Sequence, residues 1–590
     1  MTWGWARGWA SRWGWAAPGY ALALAVAVTA PLLAPGYLLL RDAVSTPRSF
    51  LSDEALGLGE SAPRALPQDF VVALASHVVD GGLVVKALLI LGLWLAGWGG
   101  ARLAAAAVPS AGLAGQFVAA TLAVWNPYVA ERLLQGHWSL LLGYGCLPWV
   151  AAAMVSVRDG AGSWWSLTFW IALAGLTPTG LMLAATVALV SVAAVGGGPR
   201  RWVCAVVALF ISVLVAVPWL VAAALGGAPS APPDAGVAAF AARAEPGLGT
   251  LVSLASLGGI WNGEAVPASR TTLFAVVGSV VLLGIVTLGL PVLRRSPVGV
   301  ALFVLGAVAV VVPAAMATGP GLALVGSVLR AVPVLGVVRD GQKWVALAMP
   351  GYALAGAACV LTLRRVRPVV TALVCCAALL VVLPDLAWGV GGKVVAVQYP
   401  PGWRAVAALV NASARPVATL PADPMRRFVW SGPAPVLDPL PRWVRAQVLS
   451  SGDLTISGRV VPGEGRWGRD VQRLLLDGVE PGSLADAGVG WVVVESPGVG
   501  SAGLAKLPVA YRGDGLTLYR VGGDRAGASS LRRAVMIGAH LVWLVVLMVA
   551  GVGCLWALAR VAGVANVELW SRNWRALRDK STFGGIRRRR

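Results

Sequence analysis

A chain of 590 residues that is 58% hydrophobic and only 12% charged, with a mean hydropathy of +0.76, is not a soluble globular protein. That composition belongs to polytopic membrane proteins. The formal charge of +21 raises nucleic acid as a partner. However, the basic residues form short clusters beside apolar runs, the pattern of topology signals, and no basic stripe with interleaved aromatics accompanies them, so no nucleic-acid partner is expected.

Residues 1–18 carry five tryptophans with Arg7 and Arg12 and read as a cytoplasmic, Trp-rich interfacial segment. A first span is expected at about 19–40, without a small-residue cleavage site after it, and so as a retained anchor. Residues 41–82 form a long loop holding Asp42, Asp53, Glu54, Glu60, Asp69, His77 and Asp80, with pieces suited to short helices on the membrane surface. Two further spans are expected at about 83–101, ending at Arg102, and at 107–124.

Next comes the polar stretch 125–138, which holds Asn126, Glu131, Arg132, Gln135 and His137 between apolar runs. A charge at the bilayer centre costs roughly 2.5–3.5 kcal/mol on insertion scales, so this cluster belongs where helices meet water. The Asn126-Pro127 step breaks one helix. A short helix from Val129 then puts Glu131 and Gln135 at i and i+4 on one face. The spacing alone fits both a polar hairpin tip and part of a site.

A fourth span at 139–157 ends before Arg158, and two short spans split by Thr177-Pro178-Thr179-Gly180 end before Arg200 and Arg201. A seventh at 203–224 opens the loop 225–270, with Arg243, Glu245, Glu264 and Arg270. An eighth ends at Arg294 and Arg295, and a ninth covers 298–317. The loop 319–343 holds Arg339 and Lys343 beside Trp344. A tenth span ends in Arg364, Arg365 and Arg367, and an eleventh, 368–388, closes the membrane domain at 19–388. Charges become frequent over 389–530. There, β-type runs at 416–420 and 490–495 alternate with helix-like pieces at 402–410 and 470–476, which predicts a small α/β domain. Asn411-Ala412-Ser413 matches a glycosylation acceptor, a motif common by chance. A twelfth span at 534–558 leads to a basic tail, 559–590. There is no internal repeat. The six cysteines and three histidines show no metal-ligand or disulfide spacing, so no metal site is expected from them.

With the N-terminus inside, counting around twelve spans puts Arg102, Arg158, Arg200/Arg201, Arg294/Arg295, the 364–367 cluster and the tail all on the cytoplasmic side. Six independent sites agree with positive-inside bias. The expectation is a multi-pass plasma-membrane protein with both termini cytoplasmic. The loops 41–82, 125–138, 225–270 and 319–343 and the 389–530 domain then share the outer face. A substrate there arrives dissolved or on a lipid. Arg339 and Lys343 suit a phosphate, Arg as a bidentate donor and Lys as a point charge, although basic residues at a helix end also simply snorkel.

This layout resembles the GT-C class of integral-membrane glycosyltransferases that use polyprenyl-phosphate sugars. The likeness rests on an acidic residue just after span one, here Asp42 following Leu40-Arg41, on interfacial helices in that loop, and on a soluble domain towards the C-terminus. The run 126–138 resembles a segment of actinobacterial membrane proteins assigned to this class. Tyr399-Pro400-Pro401-Gly402-Trp403, Asp438-Pro439 and the run 484–494 resemble the outer domain of YfhO-like and related glycosyltransferases. The paired Asp-Glu usual after span one is absent: Ala43 follows Asp42, and Asp53-Glu54 lies further on.

The resemblance implies a GT-C-like helical membrane fold with an extracytoplasmic α/β domain. It also implies inverting sugar transfer from a polyprenyl-phosphate donor to a cell-envelope glycan or lipid acceptor, among membrane lipids. A carboxylate would deprotonate the acceptor, with Asp42 and Glu131 as candidates and Asp53 and Glu54 as alternatives. Asn126, Arg132, His137, Arg270, Arg339 and Lys343 would bind substrate, Glu131 and Arg132 being equally readable as an ion pair. A divalent cation is left open as a cofactor. Two other classes fit parts of the pattern. A lipid or glycan transporter or flippase fits the span count and the broken helix at 176–180; a non-catalytic cell-envelope scaffold fits the outer domain.

Overall fold

The computed structural model describes residues 14–60, 64–226, 236–363, 366–456, 458–478, 480–495 and 502–581. Most of the Trp-rich segment, with Arg7 and Arg12, the Arg364-Arg365 pair and the 587–590 end of the basic tail lie outside the described residues.

Apolar runs in hydrocarbon must satisfy every backbone N–H and C=O within the segment, so they become helices. Helical stretches stand at each of the twelve expected places. Eight are long and apolar enough to cross a membrane, and a ninth is added if Pro368–Val381 and Pro384–Gly392, bent by 72° at their junction, count as one. The other three are short: Gly112–Val124 with 13 residues, Trp164–Ala174 with 11 and Pro178–Ser191 with 14. A straight crossing needs about 20.

The first helix also ends early. Ala16–Thr29 tightens into a 3-10 turn to Leu33, and the chain then leaves as a strand, Tyr37–Leu40. Pro35 interrupts the helical hydrogen bonding, and Gly36 takes φ +125°, closed to other residues. Leu38, Leu39 and Leu40, read as the end of a span, are a strand instead.

Small residues let the helices approach closely. A Cβ on Gly145 would stand 2.1 Å from Gly92 O, so Trp138–Arg158 and Gly81–Ala107 touch backbone to backbone there. Trp138–Arg158 and Gly341–Thr362 are 94% and 89% buried, whereas the span Ser530–Arg560 is 11% buried and lies on the outside of the bundle. The polar cluster of the 125–138 and 319–343 loops gathers at the N-terminal ends of the two innermost helices.

Beyond the bundle lies an α/β domain. Its five-stranded sheet runs Val509–Gly513, Leu516–Arg520, Trp491–Val494, Val417–Leu420, Val448–Leu449, with the last three parallel. Side chains alternate across it, as a strand's period of two requires. Val417, Trp491 and Val493 pack on Trp403, Val406 and Val410 of helix Pro401–Ser413. Ala418, Leu420, Val492 and Val494 pack on Val471 and Leu475 of helix Arg466–Leu476. A second sheet joins the domain to the bundle: Tyr37–Leu40 pairs antiparallel with Ala43–Val44 on one side and with Ala396–Val397 on the other. Arg41 bridges to Val436, and Leu39, Val44 and Val436 form a small shared core.

Candidate active site

The short helix Pro127–Gln135 anchors the site. Asn126 caps it in an extended conformation, its Oδ1 accepting from Val129 N at 3.1 Å and proline taking the first helical position. Its Nδ2 donates to Leu122 O at 2.8 Å, Ala123 O at 3.2 Å and the Tyr144 hydroxyl at 3.0 Å. Asn126 is fully enclosed and joins two helices. The helix stops at Gly136, φ +85°, where a Cβ would stand 2.3 Å from both Leu40 O and Ala43 N. Only glycine lets the first loop sit this close.

What sits there is the turn of the Tyr37–Val44 hairpin, with Arg41 and Asp42 as its two central residues. Arg41 is left-handed at φ 47°, uncommon for a residue with a Cβ. Its guanidinium offsets that strain by donating to Leu134 O at 2.6 Å and Glu264 O at 2.9 Å. Asp42 therefore hangs from a turn held on three sides, by the short helix, by the 225–270 loop and by the domain, whose Pro435 O accepts from Arg41 N at 2.8 Å.

Asp42 Oδ2 accepts from Gln135 Nε2 at 3.0 Å and lies 2.9 Å from His137 Nε2. Gln135 is fixed in turn by Asn262 Nδ2 at 2.8 Å. The Asp42 side chain remains 42% exposed and so is reachable from solvent. Desolvation by the surrounding protein would raise its pKa. The hydrogen bond from His137, the Gln135 amide and the nearby Lys343 outweigh that and hold it below the ordinary carboxylate value.

Glu131 and Arg132 do not pair with each other among the described residues. Successive helix residues point in different directions, and each finds a distant partner. Glu131 is fully buried. Its oxygens accept from Gly259 N and Ile260 N, both at 3.1 Å, and from Gln342 Nε2 at 2.9 Å. Arg132 forms a bidentate pair with Asp340 at 2.8 and 3.1 Å, donates to Gln342 Oε1, and lies 3.1 Å from His137 Nδ1. Burial would raise the Asp340 pKa, but Arg132 and then Lys343 bring it down to about 2.

Lys343 Nζ is 3.8 Å from Asp340, its side chain is 26% exposed, and its charge acts on Asp42. Arg270 lies elsewhere, buried against Glu245, Ser256 at 2.7 Å and Ser279 at 3.2 Å. Arg339 lays its guanidinium over the Phe240 ring, 5.5 Å from the centroid. Of the other carboxylates, Asp53 is clamped by Arg533 at 2.5 and 2.9 Å, while Glu54 is exposed. The structure thus gathers Asp42, His137, Arg132 and Lys343, with Asn126 and Glu131 supporting them. Arg41, Gln135, Asn262, Asp340 and Gln342 complete the cluster. Their only sequence signal is that each is polar in or beside a loop of an otherwise apolar chain.

A reachable carboxylate with one oxygen free, beside an ammonium, can take a proton while a neighbouring anion is stabilised. Among the described residues no three His, Cys, Asp or Glu side chains gather to hold a metal ion.

Fold and site together define a helical membrane protein with an appended α/β domain that contacts the hairpin carrying an exposed carboxylate. No protein-family model and no curated protein matches the sequence. Among solved structures, the chain is similar to the cryo-EM structure of the arabinofuranosyltransferase AftD from Mycobacteria, with a TM-score of 0.53 and 17% identity. The match covers 87% of this chain and 42% of AftD, so the chain spans less than half the length of that protein. The fold is GT-C-like.

Proposed function

We propose that this chain is a membrane glycosyltransferase of the GT-C kind, moving a sugar from a polyprenyl-phosphate donor to a cell-envelope glycan or lipid acceptor on the outer face. The observation that carries the reading is Asp42: a solvent-reachable carboxylate, deprotonated and held by two donors on one oxygen, at the ends of the two innermost helices of a fold shared with a known sugar transferase. Asp42 Oδ1 takes the acceptor hydroxyl proton. The acceptor oxygen attacks the anomeric carbon from the face opposite the phosphate, and the anomeric C–O bond breaks with its electron pair leaving on the polyprenyl phosphate. The configuration inverts. Base assistance of this kind is worth about 10²–10⁴-fold. Lys343 stabilises the phosphate charge as it develops, with Arg339 further along the loop.

In this reading Asn126, Glu131 and Arg270 are framework. Each is buried and bonded to other parts of the protein, and none is exposed enough to meet substrate. A divalent cation, if used, would draw ligands from the donor phosphate. The test is turnover of a polyprenyl-phosphate sugar by the purified full chain in nanodiscs, read as release of polyprenyl phosphate. Lys343→Ala should weaken donor binding as well as rate, since its charge meets phosphate in both ground and transition states. Lipid that crosses the bilayer with its sugar still attached would favour a flippase.

A further inference from the structure

Asp42 ends a chain of four charged or polar side chains drawn from three separate parts of the sequence. Asp340 grips Arg132 with both oxygens, Arg132 Nη1 lies 3.1 Å from His137 Nδ1, and His137 Nε2 lies 2.9 Å from Asp42 Oδ2. A guanidinium has donors and no acceptor, so the imidazole nitrogen facing it must carry a lone pair. The ring proton then sits on Nε2 and points at Asp42. Hydrogen-bond chemistry leaves no other neutral assignment, because a proton on Nδ1 would face the Arg132 N–H directly.

We propose that Arg132 and His137 are positioning residues that lock the imidazole as its neutral Nε2-protonated tautomer, so that Asp42 keeps Oδ2 occupied and presents Oδ1 as its proton-accepting atom. The proposal rests on the reading of Asp42 as the base. It adds a direction to the proton's path. Both donors to Asp42, His137 and Gln135, reach the same oxygen, and Oδ1 has no hydrogen-bond partner among the described residues. A proton taken at Oδ1 cannot pass on to the imidazole, since Nε2 already carries one and Nδ1 is covered by Arg132. It must leave by the way it came, on the exposed side of Asp42. His137 is thus a fixed donor and not a shuttle.

The other charges facing this line are consistent with a neutral ring. Lys343, on the third loop, faces both Asp42 and His137, and Arg41 stands beside Asp42 with Glu264 behind it. Arg132 and Lys343, the two cations whose charges reach the imidazole, disfavour a third. Burial, together with the Arg132 charge, keeps His137 below the ordinary histidine pKa against the opposing pull of Asp42. Arg132 is itself neutralised by Asp340, so the lock adds no net charge beside Asp42.

The chain has three histidines, which makes the ring state directly readable. Full-length protein labelled with ¹⁵N-histidine in nanodiscs should give a neutral signal pair from His137 with bare Nδ1 and protonated Nε2; the signals of His77, whose Nδ1 also faces an arginine, are assigned separately with His77→Gln. The His137 pair should persist across about pH 5–8, where an ordinary histidine titrates, and should vanish in His137→Gln. An Nδ1-protonated His137, or a His137 imidazolium appearing within that range, would overturn the lock; His540, whose Nδ1 donates to Met536 O, gives the opposite tautomer as an internal reference. The pH profile of kcat/KM with a polyprenyl-phosphate sugar gives the second readout. His137→Ala should move its acid limb upward, and His137→Gln, whose amide N–H occupies the place of Nε2–H, should move it back. Equal losses of rate in both variants with the limb unmoved would mean a merely structural histidine and would also overturn the proposal. If the tautomer is found but no sugar is ever transferred, the lock stands and the transferase reading falls. Turnover with the wrong tautomer does the opposite: the transferase reading stands and the lock falls.

Discussion

Arg132 and Asp340 stand 208 positions apart in sequence and 2.8 Å apart in space. The polar run 125–138 could be recognised from sequence because charge is costly in an apolar protein. Which partner each charge takes could not, since Glu131 adjoins Arg132 in the chain but turns to Gly259, Ile260 and Gln342. Asp42 was legible as the first acid after the first span, whereas the amide of Gln135 that fixes it carried no signal of its role. The Arg132–Asp340 pair has a stability signature. A folded pKa of about 2 for Asp340, depressed from 3.8, contributes stability at and above about pH 4 that is lost as the pH falls towards 2. The size is about 2 kcal/mol. Melts of the purified protein should show the apparent Tm of the wild type falling between pH 5 and 3 by more than that of Asp340→Asn, which starts lower and has no such charge to lose. Parallel curves would remove the pair's role. Asp340→Ala, leaving Arg132 buried without its carboxylate, should cost about 3–5 kcal/mol.

At the scale of elements, periodicity located the domain's strands and helices well: the expected 416–420 and 490–495 runs contain Val417–Leu420 and Trp491–Val494, adjacent and parallel in the sheet. The same reasoning missed Tyr37–Leu40, because a leucine run continuing an apolar helix looks like more of the helix. Only Pro35-Gly36 hinted at the change, and the strand's partners at 396–397 are remote in sequence. The contact between the short helix and the hairpin turn is decided by one glycine. Gly136→Ala must both hold a left-handed φ and push aside Leu40 O and Ala43 N, at a cost of about 2–4 kcal/mol. Turnover should fall with it, since the turn that moves carries Asp42. A Gly136→Ala protein with normal melting and normal turnover would mean that the hairpin does not position the base. Residues 395–525 expressed alone have a complete two-faced sheet core and should give a mixed α/β circular dichroism spectrum with a cooperative melt. A purely helical or disordered spectrum would contradict an independent domain.

For the whole molecule, sidedness depends on where segments begin and end. The short helices Trp164–Ala174 and Pro178–Ser191 leave from Arg158 and return to it: Gly198 N donates to Arg158 O at 2.8 Å and Arg158 Nε to Ala194 O at 3.1 Å. That hairpin contributes two crossings or none, and in either case the segments after it keep their side. Reporter fusions after Arg158, Arg201, Arg295 and Arg367 should therefore report cytoplasm, and fusions near Gly263 and Gly458 the outside. Two or more reversals would separate the loops that meet at Asp42. Length alone did not reveal that three of the twelve apolar stretches are too short to cross unaided, because boundaries within apolar sequence depend on packing partners.

The central claim is that one exposed carboxylate, Asp42, receives the acceptor's proton. Glu54 is its rival, exposed like Asp42 and carried on the same first loop. The most direct measurement is polyprenyl-phosphate-sugar turnover by the wild type, Asp42→Asn and Glu54→Gln, purified at matched expression and melting temperature. Asp42→Asn should lose about 10²-fold or more while Glu54→Gln stays within a few-fold of the wild type. An active Asp42→Asn beside an inactive Glu54→Gln would contradict the assignment.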